Sequence, residues 1–127
     1  MSDIFSAIDI LSQLISFDTT SSKSNKPMIN FISEILDKHN ISCNIGSNKE
    51  GTKGDLIATI GPMVEGGVIL SGHTDTVPVE GQNWDSDPFK LTQKNKLVFG
   101  RGSCDMKGFI AVVLSLIPEI QTLKLKV

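Results

Sequence analysis

The sequence predicts an α/β domain, and three observations carry that reading. Two stretches within the first forty residues place apolar side chains at helical spacing. Short apolar runs bounded by turn residues follow between positions 41 and 72, the pattern of strands. An almost wholly apolar segment after Lys107 is long enough for a buried helix. Helices, then strand candidates, then a further helix define the α/β class. At 127 residues the chain suits one domain with its own core.

The elements follow in order. Ile4, Ile8, Leu11 and Ile15, widened by Phe5 and Leu14, make residues 3–16 an amphipathic helix with Ser2 or Asp3 as its cap. Residues 17–26, FDTTSSKSNK, are polar and turn-rich and read as a loop. A second helix starts at Asn25 as cap, with Pro27 in the first turn, where a missing N–H costs little. Met28, Ile32, Ile35 and Leu36 form its buried face, and it ends near His39 and Asn40. Residues 41–46 are a short strand, 47–54 a turn, and 55–61 and 67–72 buried strands. Residues 73–95 show neither helical nor strand period, and a loop of that length inside a domain is usually functional. Trp84, Phe89, Pro78 and Pro88 can pack it down. Residues 96–100 are a strand candidate, 107–117 the apolar helix with Pro118 as its stop, and 123–127 the start of a strand.

Bulk properties exclude several function classes. A net charge of -2 gives no basic excess for nucleic acid. Apolar runs fall far short of the roughly 20 residues of a membrane span. The N-terminus lacks a signal peptide's basic region, so the cytoplasm is the expected compartment. Two cysteines, Cys43 and Cys104, make no disulfide framework and read as free thiols.

Candidate chemistry concentrates between Ser71 and Phe109. Of two histidines, His39 sits at a helix C-terminus, where it can meet free carbonyls. His73 instead follows an apolar run and a glycine, so its ring projects from a strand end. Asp75, two residues on, can orient that ring through its second nitrogen. His-x-Asp alone also fits an ordinary turn. The segment GRGSCDMKG then presents Asp105 between a strand and a helix. Its two leading glycines resemble a dinucleotide fingerprint, but Asp105 occupies the third glycine position and would repel a phosphate. A carboxylate there attracts a cation, or caps the following helix. Arg101 and Lys107, flanking this turn, read as solvated or carboxylate-paired. Cys104 lacks a C-x-x-C partner and reads as a small buried thiol rather than a ligand. A serine nucleophile has no G-x-S-x-G elbow. His73 and Asp105 supply two ligands, whereas a zinc site needs three or four.

SGHTDTVPVEGQNWDSDPFKL followed by GRGSCDMKGFIAVVL closely resembles the di-zinc M20 metallopeptidase family, and within it the acetylornithine deacetylase branch. The resemblance implies part of a three-layer αβα zinc-peptidase-like catalytic domain, with residues 1–127 as its N-terminal part and no second domain. It implies that His73 ligates one Zn2+, that Asp105 bridges two, and that Asp75 clamps His73. It also implies a cis peptide at Asp105–Met106. Co2+ suits the same ligands. The implied reaction is hydrolysis of a small N-acylated amino acid, N-acetylornithine to ornithine and acetate in arginine biosynthesis. Succinyl-diaminopimelate desuccinylases and aminoacylases are the alternatives within the family, and a non-catalytic module that needs a separate C-terminal half is the alternative outside enzymes. The family's adjacent glutamate pair, which includes the general base, has no counterpart here, and Glu119 precedes the strand that would carry it. The late histidine and the lid domain that mediates dimerisation have no counterpart either. The chain alone is therefore expected to be a truncated, catalytically incomplete form that binds zinc weakly.

Overall fold

A computed structural model describes residues 6–127. Helix α1 spans Ala7–Ser16 and is closed at its start by a capping box: the Ser6 hydroxyl accepts from the Asp9 N–H, and the Asp9 carboxylate accepts from the Ser6 N–H. The caps expected at Ser2 and Asp3, and the stripe members Ile4 and Phe5, lie outside the described residues. The buried face is Ile10, Leu11, Leu14 and Ile15. Ile8 is exposed, so the face is rotated toward Ile10 relative to the expected stripe.

Helix α2, Lys26–Lys38, follows the sequence closely, burying Met28, Ile29, Ile32, Ile35 and Leu36 and ending at His39. Asn40 takes a left-handed backbone, φ 57, which asparagine tolerates at a helix end. Asn25 stands at the cap position, but its side chain does not cap. Its amide nitrogen donates to the Gly54 carbonyl and the Thr74 hydroxyl, each at 2.8 Å, and its oxygen accepts from the Gly54 N–H. One side chain thus ties the start of α2 to the first hairpin and to the segment carrying His73.

The strands form two antiparallel hairpins. β1, Cys43–Ser47, pairs with β2, Gly54–Ala58, and β3, Thr92–Lys94, pairs with β4, Leu97–Phe99. β3 falls inside the long stretch that reads as loop; three residues give too few alternations to register as a period. The expected buried strand at 67–72 does not form: the run is unpaired, with Val68 86%, Ile69 91% and Leu70 55% exposed. Residues 123–127 are likewise not a strand. An apolar run becomes a buried strand only with neighbours on its edges and faces, and none pairs with these two segments among the described residues.

Helix α3, Gly108–Ser115, and helix α4, Ile117–Thr122, complete the order. The apolar helix ends at Ser115, before Pro118, and Pro118 itself lies in the first turn of α4, where proline's fixed φ fits. The core joins α1, α2 and α3, with Leu14, Ile15, Met28 and Ile117 fully buried. Burying each such side chain stabilises by about 1.5–3 kcal/mol. No helix among the described residues is long and apolar enough to cross a membrane.

Candidate metal centre

The two halves of the candidate site lie 32 residues apart and meet through α3. Gly72 lies against the first turn of α3; a Cβ there would stand 3.2–3.3 Å from Ile110, Phe109 and Met106. That close approach delivers the next residue, His73, to the turn at Ser103–Lys107. Gly102 opens this turn with φ +80, and a Cβ on it would come within 2.7 Å of the Thr76 methyl. Only glycine fits, which accounts for the second glycine of G-R-G. Asp105 and Met106 depart from helical backbone angles, and the peptide between them is cis. Asp105 is not the cap of α3: the cap position is Lys107.

His73 Nε2 stands 2.9 Å from Asp105 Oδ1. Its Nδ1 stands 3.0 Å from the Asp75 carbonyl oxygen and 3.3 Å from Asp75 Oδ1. The sequence-predicted trio therefore converges, with His73 between a carboxylate on each side. The Asp105 hydrogen bond, opposed by slight burial and helped by Asp75, raises the His73 pKa above its ordinary 6.5. Both carboxylates are open to solvent, with the Asp105 side chain 85% exposed.

A cleft of about 120 Å³ is lined by His73, Asp75, Thr76, Val77, Arg101 and Asp105. Among the described residues, Thr76 Oγ1 and Arg101 Nε are buried side-chain polar atoms without a hydrogen-bond partner, and both belong to residues of this cleft. Unsatisfied buried polar groups are rare and cluster where function demands them. A larger groove of about 410 Å³, beside Ile57, Ile60 and Met63, has no titratable side chain, so volume alone does not mark the site.

Three supports go beyond the sequence expectations. Arg101 is partly exposed, and no carboxylate among the described residues pairs with it. It stacks on Trp84 at 5.1 Å and donates to the Pro78 carbonyl and to Gln82, gathering the long loop beside the cleft. Lys107 is fully buried, and its ammonium donates to the carbonyls of Leu14 at 2.9 Å and Phe17 at 2.7 Å. It thereby closes the C-terminus of α1, where unpaired carbonyls favour a cation. Burial pushes its pKa down to about 8, against an upward pull from Asp18. Cys104, expected to be buried, is exposed; it and Cys43 are free thiols.

The third support is the loop after α1. Thr19 accepts the Thr76 N–H at its carbonyl, and its hydroxyl donates to the Thr74 carbonyl at 2.6 Å. Ser21 donates its N–H to the Thr76 carbonyl. Asp18 holds the loop's own shape by accepting from the Thr20 N–H and hydroxyl and from Lys23. Burial pushes the Asp18 carboxyl up, but hydrogen bonds from Lys23 and Thr20 outweigh it and bring the pKa down from 3.8 to about 2. A depressed carboxyl pKa contributes stability that is present above pH 3.8 and lost as pH falls toward 2. Asp18→Asn is therefore expected to lower the urea midpoint at pH 7, with the difference from the wild type vanishing between about pH 4 and pH 2. Paired urea titrations across that range check it.

Comparisons with known proteins include this region. Residues 69–127 match the family model described as Peptidase family M20/M25/M40. Acetylornithine deacetylase of Buchnera aphidicola subsp. Schizaphis graminum (strain Sg) is 38% identical over 127 residues, covering 95% of this chain and 33% of that protein. The acetylornithine deacetylase of Proteus mirabilis (strain HI4320) is 39% identical over 110 residues, 85% of this chain and 28% of that protein. That of Pasteurella multocida (strain Pm70) is 37% identical over 133 residues, 98% of this chain and 34% of that protein. The chain spans about a third of the length of these curated relatives.

Proposed function

Because the chain belongs to the M20 peptidase family and lies close to the acetylornithine deacetylases, we propose that it is the N-terminal, metal-binding part of a metal-dependent amide hydrolase. The substrate is a small N-acylated amino acid, and the preferred one is N-acetyl-L-ornithine. The observation that carries this reading is the approach of His73 Nε2 to Asp105 Oδ1 at 2.9 Å across a cleft. These are a borderline nitrogen and a hard oxygen donor, a set that suits zinc or cobalt. In this proposal His73 and Asp105 hold the metal, and the Asp75 carbonyl and carboxylate at Nδ1 together leave Nε2 to face it. A divalent metal held there supplies Lewis acidity to the scissile carbonyl. Arg101 and Trp84 pack the long loop beside the cleft.

Two ligands do not complete a zinc site. Among the described residues no group of three or more His, Cys, Asp or Glu side chains is placed to hold a metal. The remaining ligands and the proton-shuttling glutamate are, in this proposal, supplied from outside these residues, as part of a three-layer αβα catalytic domain. Absence of the general base alone lowers the rate by roughly 10²–10⁴. Purified residues 1–127 with Zn2+ are therefore expected to give no N-acetylornithine turnover above a zinc blank. A chimera with this chain replacing the matching third of the Proteus mirabilis protein is expected to release acetate. Turnover by the 127 residues alone, or a folded, zinc-loaded chimera active only on a succinylated substrate, would contradict the assignment.

The exposed run Val68, Ile69 and Leu70 favours a second reading, a module completed by a separate polypeptide. An apolar run with unpaired backbone groups can take up an added strand. Co-purification of a second chain carrying the missing ligands would distinguish this reading from the first.

A further inference from the structure

The loop after α1 reaches past backbone contacts into the candidate site itself. Ser21 Oγ donates to Asp75 Oδ2 at 2.9 Å and also lies 3.3 Å from the Thr76 carbonyl. The other oxygen of the same carboxylate, Oδ1, is the one facing His73 Nδ1. We propose that Ser21 is a positioning residue: its hydroxyl sets the rotamer of Asp75, and through Asp75 the orientation of the His73 ring toward Asp105. The proposal rests on the metal-ligand reading of His73 only for its consequence, not for its geometry.

Ser21 is suited to this because its own position is fixed from three sides. Its N–H donates to Thr76, its carbonyl accepts from Lys53 Nζ at 2.7 Å, and the preceding turn is closed by Asp18. Thr74 and Thr76 are tied to Thr19 and Ser21 on either side of Asp75. The backbone of Asp75 is thus clamped, and the carboxylate torsion is the remaining freedom. An exposed aspartate with one oxygen unheld rotates among staggered and near-degenerate positions. A hydroxyl donating to Oδ2 selects the one that leaves Oδ1 at the ring. Groups that orient a ligating histidine from behind typically change metal affinity by 10–100-fold when removed. Ser21 is one bond further out, so the lower end of that range applies.

The test compares Ser21→Ala and Ser21→Thr with the wild-type chain in three measurements: Zn2+ affinity by calorimetry, the urea midpoint, and the His73 ring ¹⁵N shifts in metal-free protein at fixed pH. Ser21→Ala is expected to weaken Zn2+ binding about tenfold and to shift the Nδ1 signal, with an unchanged urea midpoint. Ser21→Thr, which keeps the hydroxyl, is expected to restore both readouts. Unchanged ring shifts in Ser21→Ala would overturn the proposal, as would a loss that Ser21→Thr shares or that follows a fall in the urea midpoint. If the wild type binds no Zn2+ while Ser21→Ala still shifts the ring signal and Ser21→Thr restores it, the positioning role stands and the metal assignment fails.

Discussion

Asp105→Ala is expected to weaken Zn2+ binding by the chain at least about a hundredfold. Partners that merely orient a ligand are worth 10–100-fold, and a direct ligand is worth no less. Among the described residues, the Asp105 side chain has one hydrogen-bond partner, the His73 ring. It is 85% exposed and does not cap α3. The substitution also removes the largest cause of the raised His73 pKa, so the ring is expected to titrate closer to 6.5. A histidine pKa raised in the folded state stabilises the fold below pH 6.5, and that contribution disappears as pH rises through the folded value. Asp105→Ala therefore costs stability only on the acid side, while its effect on metal binding persists at about pH 8. Calorimetric titration at that pH, with unfolding followed there and on the acid side, separates the two.

Lys107→Met is expected to destabilise the fold more than Asp18→Asn, Ser21→Ala or Asp105→Ala. Methionine keeps the length and the packing of the stem but donates nothing. The Phe17 carbonyl at the end of α1 then loses its ammonium donor, and the Leu14 carbonyl keeps only the Phe17 N–H at 3.4 Å. An acceptor left unpaired away from water costs about 1–3 kcal/mol, offset in part by no longer burying an ammonium. Such a loss is a large share of the roughly 5–15 kcal/mol that holds a typical domain. The functional consequence runs through the same bonds. Lys107 follows the Asp105 turn directly, and its N–H also donates to the Gly102 carbonyl at 2.8 Å. Freeing it from α1 loosens the turn that presents Asp105, and Zn2+ affinity is expected to fall together with the urea midpoint. Lys107→Arg does not serve as a rescue, because a guanidinium is wider than the closed space the ammonium occupies.

What can be read from the sequence, and what cannot, divides along the range of the interactions involved. Helix α2 is legible almost to the residue because its signals are local: a proline in the first turn, an apolar face at 3.6-residue spacing, and an asparagine at the end. The candidates His73, Asp75 and Asp105 stand out because turn residues flank them and their types are those of metal chemistry, and the fold brings them together. The run at 67–72 has the composition of a buried strand, yet the partners that would bury it are not written in its own residues. Pro118 looks like a stop because a proline marks either the end of one helix or the first turn of the next, and only the fold decides. Lys107 carries one usable signal, a lone charge at the entry of an otherwise apolar helix. The loop Asp18–Ser21 carries none. DTTSS has the composition of any solvated turn, and its role arises from contacts more than fifty residues away.

His73 and Asp105 are held to bind one ion together rather than to lie close by accident of the fold. A double-mutant cycle on Zn2+ affinity at about pH 8, using His73→Ala, Asp105→Ala and the combined variant, addresses this directly. Shared ligation predicts that each single change removes most of the binding and that the double variant binds no more weakly than the worse single one. Losses that multiply as for independent sites, or Zn2+ binding that survives in the double variant at wild-type strength, would contradict it.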